Sequence, residues 1–144
     1  MSDGRPEIFD KVLVPVDLTP KNRAAIEIAA DLCKPSGKVT LLHVIETLDI
    51  PWEEVEEFYM GLEGRARQGM DAMAEPLREA RLAHDQVVVY GRRAEEVVRY
   101  AGDEGYGLIV LSSHRLDPEN PGAGWATLSY KVAILAQCPV LLVK

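Results

Sequence analysis

Cysteine is nearly absent. Cys33 and Cys138 are the only two in 144 residues, and neither sits in a CxxC or comparable spacing. A disulfide framework and a cysteine metal cluster are therefore unsupported, and two buried thiols of a cytoplasmic protein is the plain reading. Positive charge is also scarce: 16 Lys and Arg face 23 Asp and Glu, a net charge of −7, and the one basic doublet is Arg92-Arg93. That balance argues against nucleic acid as a partner over any large surface. No apolar run has signal-peptide or membrane-spanning length with suitable flanks, and strand character begins near Lys11, which points to the cytoplasm and away from membranes. His43, His84 and His114 show no metal-ligand spacing, and no GxSxG elbow occurs. Ser113 and His114 are neighbours in sequence, which does not make a nucleophile and base. Neither a catalytic residue nor a bound metal is expected.

What is present suits a packed core. Hydrophobic residues make up 47% and charged residues 27% of a chain whose length fits one domain over residues 1–144. Lys11–Val16 is a short apolar run of the kind buried on both faces of a sheet, with Pro15 placed where the strand leaves it. Thr19-Pro20 reads as a helix start, a hydroxyl N-cap followed by proline at the first helical position. Ala25, Ile28, Ala29 and Leu32 mark one face of that helix, and Pro35-Ser36-Gly37 stops it. Val39–Ile45 is a second strand. From Glu46 to Gly64 there are seven acids and no Lys or Arg, a pattern that reads as a solvated helix face. The apolar stripe Val55, Phe58, Tyr59, Leu62 continues through Ala66, Met70, Met73 and Leu77, its regularity weakened by Gly61, Gly64, Gly69 and Pro76, which predict a break or a kink. Strands at Gln86–Tyr90, Leu108–Leu111 and Cys138–Val143 alternate with helices carrying Ala94, Val97, Val98, Ala101 and then Leu128, Val132, Leu135. The alternation predicts an α/β fold: one open five-stranded parallel sheet, doubly wound, with helices on both faces.

Such sheets bind ligands outside the carboxyl ends of their strands, where strand order reverses. Those ends are Val16-Asp17, Val44-Ile45, Tyr90-Gly91 and Leu111-Ser112-Ser113. Asp17 suits either a ribose hydroxyl or the cap of the next helix. The loop from Ser112 to Gly124 leads into the last helix, whose N-terminus offers free N–H groups to a phosphate, with Thr127 and Ser129 in its first turn. His43, in a buried strand, reads as a satisfied core histidine.

Val12–Asp17, Leu42-His43-Val44, Leu108–Leu111 and Cys138–Val143, in this order and spacing, resemble the universal stress proteins over nearly the whole chain. The resemblance implies a Rossmann-like domain of the adenine nucleotide alpha hydrolase kind. It further implies a stress-response role without catalysis and with weak or absent ATP binding, or alternatively an ATP-binding sensor with nucleotide-dependent switching and slow hydrolysis, and a homodimer paired through Val140, Leu141, Leu142 and Val143. ATP-binding members carry Gly-x-x-Gly, nine residues, then Gly-Ser or Gly-Thr after the fourth strand. Counting back from the terminal strand puts Ser112, Ser113, His114 and Arg115 on the first pattern and Ala126-Thr127 on the second, across ten residues, Leu116 to Trp125. All three glycines are missing. Glycine lets backbone N–H groups close on a phosphate, whereas Arg115 brings a long side chain that lies in solvent or turns its guanidinium to the phosphate. Gly122 and Gly124 leave room for a different nest. The nucleotide-site residues implied are Pro15, Val16, Asp17, Val44 and these loop positions with Ser129. No cofactor is required, and ATP with Mg enters only if the altered loop still holds it.

Overall fold

The computed structural model describes residues 9–113, 119 and 127–144. Strand β1 (Phe9–Pro15) is followed by α1 (Asn22–Leu32), β2 (Cys33–Glu46), α2 (Trp52–Met73) and α3 (Glu75–Glu79). Then come β3 (Ala83–Gly91), α4 (Arg93–Asp103), β4 (Leu108–Ser112), α5 (Leu128–Leu135) and β5 (Val140–Val143). The five strands form one sheet in the order β3-β2-β1-β4-β5, with every ladder parallel. The chain winds outward from β1 to β3, then returns to β4 and winds the other way. Strand order therefore reverses between β1 and β4.

Side-chain alternation along the central strands divides the core. Val12, Val14, Val39, Leu41 and Val110 bury against α1, α2 and α3 through Ala25, Ile26, Ala29, Met70 and Leu77. Leu13, Leu42, Val44, Ile109 and Leu111 face the other way, onto Ala94, Val97 and Ala101 of α4 and Val132 of α5. Helices thus cover both faces, as the alternating pattern requires. The buried hydroxyls of Thr40 and Tyr106 satisfy each other at 2.6 Å.

Several local expectations are corrected. Thr19-Pro20 forms a turn ahead of α1, whose N-cap is Lys21 with no side-chain cap bond, because Thr19 gives both its N–H and its hydroxyl to Asp17. Helix α1 ends at Leu32 rather than at Pro35. Residues 33–37 already run in β2, where the register against β1 slips between Phe9 and Lys11. Helix α2 runs unbroken past Gly61, Gly64 and Gly69; the break falls at Ala74, with Pro76 in the first turn of α3. Phe58 and Leu135 are 54% and 50% exposed rather than inward-facing. Tyr59 takes the inner place, stacked on Trp52 at 5.5 Å and edge-on to Tyr90 at 5.8 Å. Strand β5 begins at Val140, two residues later than read, while Pro139 accepts from the Ile109 N–H at 3.0 Å. Cys33 is buried, and Cys138 only half so.

Candidate functional site

The carboxyl ends of β1 and β4 are joined by one buried side chain. Asn22, 1% exposed at the start of α1, accepts from the Asp17 N–H at 3.0 Å and donates to Ser112 Oγ at 3.1 Å. A polar side chain buried here is tolerated because both ends of its amide are satisfied. Ser112 is held again by Ser129, whose hydroxyl donates to the Ser112 carbonyl at 3.5 Å. Thr127 is the N-cap of α5 and accepts from the Tyr130 N–H at 3.4 Å.

These groups rim a cavity of about 230 Å³ at the point where strand order reverses. Its floor is apolar, from Leu42, Val44, Val97, Leu111 and Leu128. Pro15, Val16, Asp17, Ser112, Thr127 and Ser129 complete the part anticipated from sequence. An apolar floor with a few convergent polar groups is the usual build of a small-ligand site. Lys21, Asn22 and Arg93 also line it and were missed. Two of these are charged residues at helix starts, positions to which the sequence attaches no ligand motif. The only available signal was the Arg92-Arg93 doublet at the end of a strand.

Asp17 neither caps α1 nor stands free. Its Oδ1 accepts from the Thr19 hydroxyl at 2.6 Å and the Thr19 N–H at 3.0 Å, with the Lys21 ammonium 3.9 Å from Oδ2. Burial pushes its carboxyl up, but the Thr19 bonds and Lys21 outweigh this and leave it below the usual range. The turn holds Leu18 at φ 68°, an uncommon conformation for a residue with a side chain, which the paired Thr19 bonds keep in place. His43 Nδ1 meets the Val16 carbonyl at 2.9 Å, so it is satisfied as expected, though only half-buried. Ser113 does not line the cavity; its N–H donates to the Val143 carbonyl at 2.8 Å, beyond the end of β4. His114, Arg115 and Ala126 lie outside the described residues, so the altered phosphate motif is read from sequence alone. Among the described residues no group of three His, Cys, Asp or Glu could hold a metal ion. No helix among them is long and apolar enough to cross a membrane.

An open, doubly wound parallel sheet with a polar-rimmed crevice at its reversal defines a Rossmann-like α/β domain, the architecture that binds ligands at that reversal. The chain belongs to the universal stress protein family, whose family model matches residues 8–144. It is 24% identical to universal stress protein YxiE of Bacillus subtilis over 149 aligned positions, covering 95% of this chain and all of YxiE. It is also 24% identical to universal stress protein MJ0577 of Methanocaldococcus jannaschii, across 74% of this chain and 78% of that one. The solved structure of MJ0577 superposes with a TM-score of 0.78 at 27% identity, over 95% of this chain and 96% of its own. A universal stress protein in complex with cAMP shares the fold at 15% identity and a TM-score of 0.71, over 94% of this chain and 97% of that one. One from Archaeoglobus fulgidus in complex with dAMP does so at 15% and 0.67, over 95% and 99%.

Proposed function

We propose that this protein is a non-catalytic, cytoplasmic stress-response regulator that works as a homodimer and through a protein partner. In this reading its crevice accepts a nucleoside or mononucleotide but grips ATP poorly. The observation that carries the reading is the state of the cavity's reactive groups. Ser112 is bonded to Asn22, Ser129 to Ser112, and Asp17 is taken twice by Thr19. Groups committed in this way shape and orient a ligand and are not poised to attack one. Relatives in complex with cAMP and dAMP lend support to a small nucleotide as the occupant.

The weak grip on ATP follows from the loop. Ser112, Arg115 and Ala126 stand where ATP-binding members have glycine, and each misplaced N–H donor loses roughly 1.5–3 kcal/mol against a charged phosphate. Two such losses, about 3–6 kcal/mol together, weaken binding by about a hundredfold or more and would carry a micromolar site to an ATP dissociation constant above about 100 μM. Calorimetry with Mg-ATP is expected to show little heat, and protein purified natively and then denatured is expected to release no ATP. Micromolar affinity or carried-over ATP would overturn this. It would favour a second reading, an ATP sensor whose occupancy switches the dimer surface, for which Lys21 and Arg93 in the cavity wall speak.

A further inference from the structure

Beside the crevice lies a second recess, of about 520 Å³, and the two share Arg93 and Leu128 as a common wall. Its other charged lining groups are Arg92, Lys131, Glu46 and Glu95. Three cations thus face two carboxylates, a local reversal of sign in a chain whose net charge is −7. The carboxylates hold the arginines loosely. Arg93 approaches Glu46 at 3.7 Å and Arg92 approaches Glu95 at 4.0 Å, each nearest at Nε and both beyond hydrogen-bond distance, so neither guanidinium is locked in a close pair. A forked guanidinium is the side chain best matched to a phosphate.

We infer that this recess is an anion subsite, receiving the phosphate of a nucleoside monophosphate whose base and sugar occupy the crevice. The inference rests on the nucleotide reading of the crevice and adds where the charged end goes. The phosphate leaves over Arg93 toward Arg92 and Lys131, a route independent of the altered glycine motif. Because these cations are exposed, their grip is modest and salt-sensitive.

The test compares adenosine with AMP by calorimetry. In low salt AMP is expected to bind about fivefold more tightly than adenosine, the scale of two or three screened charge contacts. Arg92→Ala with Lys131→Ala should abolish that advantage while leaving adenosine affinity unchanged; Arg93 is spared because it walls both cavities. Arg78→Ala, on α3 at the opposite end of the sheet, should retain the advantage and so separate a local site from net charge. Equal affinities for adenosine and AMP, or an advantage that survives the double substitution, would refute the subsite while leaving the crevice reading intact. If neither ligand binds, both fall. Should the double variant not fold, salt decides with the unaltered protein: an AMP advantage that persists at about 0.5 M salt overturns the inference.

Discussion

Replacing Asn22 with alanine tests how the crevice is built. The amide is 1% exposed and serves both strand ends, accepting from Asp17 and donating to Ser112. Truncation removes two hydrogen bonds, each worth about 1 kcal/mol, and leaves the Asp17 N–H without its acceptor beneath the ligand cavity, which costs about 1–3 kcal/mol more where water cannot reach it. Some relief comes if a water enters, so the expected loss is about 2–4 kcal/mol. Against a typical domain stability of about 5–15 kcal/mol this is large, and for a chain of this size it lowers Tm by roughly 10 °C. Urea unfolding followed by circular dichroism should show a lower midpoint with an unchanged slope, the sign of a stability change without a change in the surface exposed. Asn22→Asp, which keeps the acceptor but loses the donor and sets a second carboxylate near Asp17, should lose stability chiefly above about pH 4. A loss under about 0.5 kcal/mol for Asn22→Ala would refute the idea that this side chain ties β1 to β4.

Strand β5 is a sheet edge, with Leu141 37% exposed and the other three residues half-buried, so a homodimer through it is expected; Leu141→Lys should shift the light-scattering mass toward the 15.9 kDa monomer. A dimer mass unaffected by that charge would remove β5 from the interface. Asp17 lies below its ordinary value of 3.8, so its contribution is fully present above that value and is lost as pH falls through the folded one. Asp17→Asn should therefore flatten the stability profile between roughly pH 4 and pH 2, measured by thermal melts in a pH series. A Cβ at Gly37 would lie 2.5 Å from the Asp10 carbonyl oxygen and 2.8 Å from Cys33 Sγ, so Gly37→Ala should cost about 2 kcal/mol or more in urea unfolding.

Element order and sheet type were legible because the apolar runs at Lys11–Val16 and Leu108–Leu111 admit little but central parallel strands. Local ends were less so. Thr19 resembles an N-cap until Asp17, two residues earlier, captures both of its donors. The glycines of α2 do not break it: a Cβ at Gly64 would meet nothing within 4 Å, so that position is open, while Tyr59, Ala66 and Met70 hold the opposite side in the core. Tertiary packing outweighs a cost of about 1 kcal/mol per glycine. Within the site, Asp17, Ser112 and Thr127 were readable as strand-end and helix-start positions. Lys21 and Arg93 were not, since only the reversal between β1 and β4 brings the starts of α1 and α4 to one crevice.

The aromatic group at the start of α2 has an optical consequence. Trp52 lies nearly parallel to Tyr59, at an interplanar angle of 5°, and edge-on to Tyr90, whose hydroxyl donates to Glu63 at 2.7 Å. Burial and that bond to Glu63 push the Tyr90 hydroxyl up to about 12, so it stays protonated beyond the ordinary tyrosine range. The sequence holds one other tryptophan, Trp125. With Trp125→Phe, the remaining emission comes from Trp52 alone, 47% exposed in the first turn of α2 and edge-on to Tyr90 of the edge strand β3. A red shift of that single emitter under mild denaturant, ahead of the loss of helical ellipticity, would time the lifting of α2 from the sheet separately from the melting of the domain.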